Sequence, residues 1–337
     1  MSAKPGRQLP ASTTTRLALP LIAAPMLRVS GPDLVTAACR AGVIGAFPTA
    51  NARSVEELGG WLVEIRARLE AAERHAPICP NLIVRQPRFA DDLACLVRHR
   101  VEMVITSVGS PLAAIAPLHD VGCLVFADVA SLRHAEKAIE AGVDGLILLT
   151  GGAGGSTGWA NPFAFVRAVR DMFEGPIVLA GGISDGAALW AARALGCDLA
   201  YMGTRFIATT ESLASAAYRE MLVNCTLDDV LLTKAFTGME ANMLRPSIIA
   251  AGLDPDTLDE RASQALARER FGGGARRDGP KRWADIWSAG HSVCGVRQVS
   301  DVASLVHEIA AEYEAARLRS CGVSETRGRP VRTSSQD

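Results

Sequence analysis

The residues closest to chemistry in this sequence are three clusters of glycine. The first runs Gly151-Gly152-Ala153-Gly154-Gly155-Ser156-Thr157-Gly158, the second is Gly181-Gly182-Ile183-Ser184-Asp185-Gly186, and the third is Gly203-Thr204-Arg205. Without a Cβ, a glycine turn approaches a ligand closely and presents its backbone N–H groups. Where the turn leads into a helix, the positive N-terminal end adds attraction for an anion, so a phosphate-bearing cofactor is the expected guest. One such glycine needs only to make a tight turn; three clusters call for a common cause. Ser156 interrupts the first run. A serine hydroxyl has no usable basicity near neutral pH unless a partner activates it, so it either donates a hydrogen bond to a substrate oxygen or simply holds the loop.

The elements that position these clusters follow from short apolar runs bounded by turn residues. They are Leu21–Met26, Val43–Pro48, Ile78–Val84, Met103–Ser107, Leu124–Val129, Gly145–Leu149, Ile177–Ala180 and Leu199–Met202. The runs are continuous rather than alternating, as expected of parallel strands buried on both faces. Between and after them lie helical patterns at Pro32–Ala41, Ser54–Ala72, Phe89–Arg98, Leu112–His119, Leu132–Ala141, Pro162–Met172, Gly186–Leu195 and Ser212–Asn224. Ser54 followed by Glu57 is a capping-box pattern, and Gly42, Gly142 and Gly196 stand where helices should stop. Eight strand–helix units predict a (β/α)8 TIM barrel. The competing doubly wound sheet would want a G-x-G-x-x-G loop after the first strand, where this chain has Pro25-Met26-Leu27-Arg28.

In such a barrel the site lies at the carboxyl ends of the strands, and the glycine clusters follow predicted strands six, seven and eight. A mononucleotide such as FMN fits the top of one barrel, whereas a dinucleotide needs room for a second base. Asp128 ends strand five at this rim, where it would hydrogen-bond substrate or cofactor or else pair with an arginine such as Arg205. His134 lies in the first turn of the following helix, and Tyr201 just before Met202-Gly203 carries no assignment. Residues 17–224 make the barrel, 225–290 a mostly helical lid or insert appended after strand eight, 291–319 a return segment with a closing helix from Val302, and 320–337 a disordered tail. Trp283 and Trp287 are expected to pack the insert, and Trp159 to wall the substrate pocket together with loops 158–161 and 235–247.

Composition excludes whole classes. The chain has 337 residues, 49% of them hydrophobic, with 35 basic against 36 acidic side chains and a net charge of −1. It is long and apolar enough for a large core, and it lacks the concentrated positive charge that nucleic acid or an anionic membrane requires. Eight cysteines show no CxxC pair, so neither a metal site nor a disulfide framework is suggested, and all read as reduced core thiols. The apolar stretch Leu17–Leu27 is short and broken by Pro20 and Pro25, unlike a signal peptide or membrane helix. A cytoplasmic protein is expected, with oligomeric state open.

The motifs Ala24-Pro25-Met26, Cys79-Pro80-Asn81-Leu82, Gly152-Ala153-Gly154-Gly155 with Asn161-Pro162-Phe163, Ala180-Gly181-Gly182-Ile183, Met202-Gly203-Thr204-Arg205-Phe206, Ala235-Phe236-Thr237-Gly238 with Leu244-Arg245-Pro246-Ser247, and Trp287-Ser288-Ala289-Gly290 stand together from about Leu21 to His307. In these the chain resembles the nitronate monooxygenases, FMN-dependent barrel flavoproteins related to enoyl-acyl carrier protein reductases and NADH:quinone reductases. The resemblance implies FMN with Pro25 and Met26 under its ring, Asn81 near the ring or phosphate side, and Gly154, Gly155, Gly181, Gly182, Gly203 and Thr204 around the phosphate. It also exposes a departure. The family motif continues A-G-G-H, and its histidine is the usual candidate base toward a neutral nitroalkane; here that position is Ser156. His291, beside the flavin by resemblance, and His134 are the candidate replacements, with His291 ahead. The expected activity is oxidation of a small nitronate with O2, which needs no base because a nitronate is already an anion. The alternatives are an NAD(P)H-dependent enoyl or quinone reductase and a flavin-binding protein without turnover.

Overall fold

A computed structural model describes residues 8–72, 75–272 and 279–322. The strands are β1 (Leu21–Ala23), β2 (Ile44–Pro48), β3 (Ile78–Ile83), β4 (Met103–Ser107), β5 (Leu124–Val129), β6 (Gly145–Leu149), β7 (Gly155–Ser156), β8 (Ile177–Ala180), β9 (Leu199–Met202), β10 (Val230–Thr233) and β11 (Ala241–Leu244). Eight of them, in the order β1-β2-β3-β4-β5-β6-β8-β9, close a parallel barrel, sealed by the register Ile22↔Tyr201 between β1 and β9. The fold is a (β/α)8 TIM barrel. Five barrel strands, from β4 through β6 and then β8 and β9, have the bounds expected of their apolar runs.

The helices are α1 (Ala11–Thr14), α2 (Pro32–Arg40), α3 (Val55–Glu70), α4 (Phe89–Arg98), α5 (Leu112–His119), α6 (Leu132–Ala141), α7 (Pro162–Arg170), α8 (Gly186–Leu195), α9 (Thr204–Ile207), α10 (Ala216–Asn224), α11 (Arg245–Ala250), α12 (Gln264–Phe271) and α13 (Val302–Ser320). Helix α3 starts where Ser54 Oγ accepts the Glu57 N–H at 3.2 Å, but the Glu57 carboxylate turns to Arg53 instead of completing the box. Two buried clusters, one around Leu146, Leu179 and Phe206 and one around Leu58, Leu62 and Val104, fill the space between strands and helices.

Inside the barrel, alternate side chains stack in layers, as tilted strands dictate. The packed layers hold Ile22, Ile44, Cys79, Ile105, Phe126, Ile147, Val178 and Leu199, with Leu9 and Leu17 closing one end. On β5 the inward set is Leu124, Phe126 and then Asp128, so the period-2 rule carries a carboxylate to the opposite, open end.

Three expectations are corrected. Segment 225–290, expected to be mostly helical, also carries β10 and β11, which form an antiparallel sheet with β7 in the order β10-β11-β7. Of these, β11 pairs with a glycine loop some 85 residues earlier, and no local periodicity announces a partner so distant. The helix expected from Ser212 begins only at Ala216, with Ser215 as its cap, and the short α9 precedes it. Of the eight cysteines, six are buried, but Cys294 and Cys321 are exposed. The tail expected beyond Ser320 falls outside the described residues from 323 onward, as do Gly273 and Gly274. Among the described residues no helix is long and apolar enough to cross a membrane.

Candidate active site

One cavity opens at the carboxyl ends of the barrel strands. Its walls are the turn after β1 with Pro25 and Met26, Asn81 on β3, Ser107 at the end of β4, Asp128 on β5, and Tyr201 on β9. The glycine loops complete it with Gly154, Gly155, Ser156, Gly181, Gly182, Gly203 and Thr204. The cofactor-binding residues expected from sequence therefore share one space.

Each wall is held by identifiable contacts. Asn51 donates from Nδ2 to the carbonyls of Met26 and Ser30 at 2.9 and 2.8 Å and accepts from the Arg28 N–H, which pins the turn carrying Pro25 and Met26. Asn81, 5% exposed, and Ser107 exchange hydrogen bonds at 3.1 and 3.2 Å, tying β3 to β4. Next to Ser107, Val108 lines the cavity with φ at +53°, a strained conformation for a β-branched residue.

The first glycine loop is clamped from two sides. Asn242 of β11, fully enclosed, donates to the Ala153 carbonyl at 2.7 Å, and Thr157 Oγ1 donates to the Thr150 carbonyl at 2.9 Å. From the other side comes the segment Trp287-Ser288-Ala289-Gly290. A Cβ on Gly154 would stand 2.7 Å from the Gly290 nitrogen, and one on Gly290 would stand 2.5 Å from the Gly152 oxygen, so the two backbones cross where only glycine fits. The Gly290 N–H donates to Thr204 Oγ1 at 3.0 Å, and Tyr218 stacks on Trp287 with ring centroids 4.9 Å apart. Trp283, Trp287 and Tyr218 all face the cavity.

The loops are open where an anion would sit. Among the described residues the backbone N–H groups of Gly181, Gly182 and Gly203 donate to no protein acceptor, and a Cβ on Gly182 would meet nothing within 4 Å. Donors that face a cavity without partners fit a phosphate, so the chain's residues are compatible with a phosphate-bearing flavin.

Asp128 is the outlier of the site. Its Oδ1 is shut off from solvent and has no hydrogen-bond partner, while the residue as a whole remains open to the cavity. Burial without a compensating cation pushes its carboxyl up to about 7. The pairing with Arg205 considered from sequence does not form: Arg205 donates to the Ser184 carbonyl at 2.8 Å and pairs with Glu308 at 3.3 Å. Burial likewise holds the Tyr201 phenol well above its ordinary range, with the nearby Asp128 adding to the shift.

The other expected groups separate. Ser156 lies at the cavity mouth, exposed, paired through β7 with Ala241, and its hydroxyl makes no hydrogen bond among the described residues. His291 is anchored by its N–H to the Gly152 carbonyl at 2.9 Å and its ring packs on Gly152, outside the cavity lining. His134 is exposed on α6 and does not line the cavity. Trp159 is 78% exposed and loops 158–161 and 235–247 contribute no wall; Trp283 and Trp287 take that place. Sequence reasoning missed Asn51, Ser107, Tyr201 and Tyr218 as parts of the site. Of these, only Tyr201 had a local signal, the inward alternation along β9 from Leu199.

Residues 10–312 match the family described as nitronate monooxygenase. A nitronate monooxygenase of Paraburkholderia phytofirmans is 30% identical over 279 residues, covering 70% of this chain and 76% of that protein. A (3aS,4S,5R,7aS)-5-hydroxy-7a-methyl-1-oxo-octahydro-1H-indene-4-carboxyl-CoA dehydrogenase of Mycobacterium tuberculosis is 27% identical over 233 residues, 68% of this chain and 64% of that protein's length. Among solved structures, FabK from Thermotoga maritima superposes with a TM-score of 0.80 at 26% identity, covering 94% of this chain and 100% of that one. A nitroalkane oxidase from Streptomyces ansochromogenes gives 0.73 at 25%, covering 93% and 100%. The chain belongs to the nitronate monooxygenase family of oxidoreductases.

Proposed function

We propose that this protein is an FMN-dependent oxidoreductase that oxidises a small nitronate, or a related anionic carbon acid, with molecular oxygen. The observation that carries this reading is the set of unpartnered N–H groups of Gly181, Gly182 and Gly203 facing the same cavity as Pro25, Met26 and Asn81. FMN, when bound, supplies the two-way electron transfer between substrate and oxygen. The chain's own residues do the rest. The loops after β8 and β9 hold the phosphate through backbone N–H groups and the Thr204 side chain, and Pro25 and Met26 support the ring. Trp283, Trp287 and Tyr218 roof the cavity and limit water. The free Ser156 hydroxyl at the mouth donates to a substrate oxygen, which orients an anion without removing a proton from it.

The motifs shared with enoyl-acyl carrier protein reductases and NADH:quinone reductases favour a second reading, an enoyl or quinone reductase that takes hydride from NADH or NADPH. Anaerobic reduction of the purified yellow protein by NADH, NADPH and a nitronate in parallel separates the two. Bleaching by the nitronate alone supports the oxidase reading, bleaching by a nicotinamide supports the reductase, and bleaching by neither leaves a flavin-binding protein without this turnover. A colourless protein that refuses FMN on reconstitution overturns the flavin assignment.

A further inference from the structure

We propose that Asp128 is the catalytic base of this site, taking the proton from the carbon of a neutral carbon acid such as a nitroalkane, the task for which Ser156 is unsuited. The inference rests on the reading of the preceding subsection and widens its substrate class from the pre-formed anion to the neutral acid.

Among the described residues lining the cavity, Asp128 is the only one with a charged side chain. The other titratable groups there are Tyr201 and Tyr218; burial raises both phenols, Tyr218 to about 12, and Tyr218 donates to the Ser288 carbonyl. Neither exists as a base near neutrality. The two candidate histidines, His134 and His291, stand outside the lining.

Asp128 itself is placed for the task. It is the last inward residue of β5, on a rigid strand rather than a loop, with one oxygen enclosed and unpartnered. The groups around it leave its basicity intact. From β3 the facing thiol of Cys79 is buried and neutral, and from β9 comes the neutral Tyr201. On β4, Thr106 bonds the Phe126 carbonyl and Ser107 bonds Asn81, while β6 is Gly-Leu-Ile-Leu-Leu. The charged residues of α6, the helix that follows β5, are all exposed. No cation on these elements lowers the carboxyl, and desolvation raises it to about 7, where a base combines useful basicity with a substantial ionised fraction.

The step balances without a redox partner. The C–H bond breaks, its proton forms a bond to an Asp128 oxygen, and the electron pair stays on the substrate as the nitronate anion. The neutral carboxyl then releases the proton to water.

The test uses the holoenzyme and Asp128→Asn, an isosteric change, with nitroethane and ethyl nitronate as probes. The ratio of kcat/KM for nitroethane to that for the nitronate should fall at least about 100-fold in the variant, and Asp128→Glu should restore part of it. In the parent protein the nitroethane value should rise with pH and level off above about 7, a limb absent from the variant. A second readout needs no oxidation: in deuterated buffer the parent protein should exchange the α-hydrogens of nitroethane faster than buffer alone, and Asp128→Asn should not. Nitronate oxidation without protein-catalysed exchange, or an unchanged ratio, overturns the role of Asp128. Exchange that depends on Asp128 in a protein unable to oxidise the nitronate supports the base and overturns the oxidase reading instead.

Discussion

Replacing Asp128 by Asn should stabilise the protein, and by an amount that grows with pH. In the folded state the carboxyl holds its proton up to about 7, whereas the ordinary value is 3.8. Between those two values the unfolded chain releases the proton and the folded chain keeps it, so raising the pH draws the equilibrium toward unfolding. The stability of the wild type is therefore highest below about pH 4, falls through the window from 4 to 7, and is level above it. The difference of about 3 units, at 1.36 kcal/mol each, gives a ceiling of about 4 kcal/mol above pH 7, reduced to the extent that the cavity side of the carboxylate keeps its water. An amide has no such dependence. Taking an unfolding entropy of about 2.1 cal/mol/K per residue, the whole chain has roughly 0.7 kcal/mol/K, so the Tm advantage of the variant at pH 8 should reach up to about 6 °C. At pH 4.5 only about 1 kcal/mol, or between 1 and 2 °C, should remain by the same arithmetic. Thermal unfolding of both proteins at matched cofactor content, followed by circular dichroism at the two pH values, measures the difference. Any pH-independent packing change subtracts out. An equal Tm offset at pH 4.5 and pH 8 would refute the claim that Asp128 is an uncompensated buried carboxyl.

Other consequences concern the loops. In the Asp128→Asn background, Ser156→His should recover nitroethane turnover by at least about tenfold, since it returns a base to the mouth of the same cavity; no recovery in a steady-state assay would show that position 156 does not reach the substrate carbon. Gly154→Ala should cost about 1–3 kcal/mol and reduce retained flavin, because its methyl meets the Gly290 backbone, which has no side chain to turn aside; denaturant titration and the absorbance ratio of flavin to protein report both. Gly182→Ala should behave differently, costing about 1–2 kcal/mol from its φ of +73° alone, with nothing for the methyl to strike in the protein. Asn242→Ala leaves the Ala153 carbonyl without its buried donor and should cost about 1–3 kcal/mol, with faster proteolysis of the first glycine loop.

The barrel was legible because its strands are buried on both faces. Runs such as Met103–Ser107 and Leu199–Met202 are bounded by turns, and helices such as Leu132–Ala141 stop at a glycine in the left-handed conformation, so local patterns set their limits. Where local pattern was absent, reading failed. Strands Val230–Thr233 and Ala241–Leu244 pair with each other, and Ala241–Leu244 also pairs with Gly155–Ser156, a glycine-loop segment that carries no strand pattern of its own. The run expected for β1 reaches past its strand because apolar residues continue beyond Ala23 into the cavity wall, as Pro25 and Met26 do.

By itself the sequence determined the eight-fold barrel, the rim on which Pro25, Asn81, Asp128 and the three glycine clusters stand, and the absence of a histidine at position 156. Those depend on residue type, period and order along the chain. Tertiary structure alone decided which charges find partners. Arg205 went to Glu308, His134 to solvent and His291 behind Gly152, which left Asp128 unpaired in the cavity. A carboxylate's basicity is set by what surrounds it in space, and strands distant in sequence supply those surroundings.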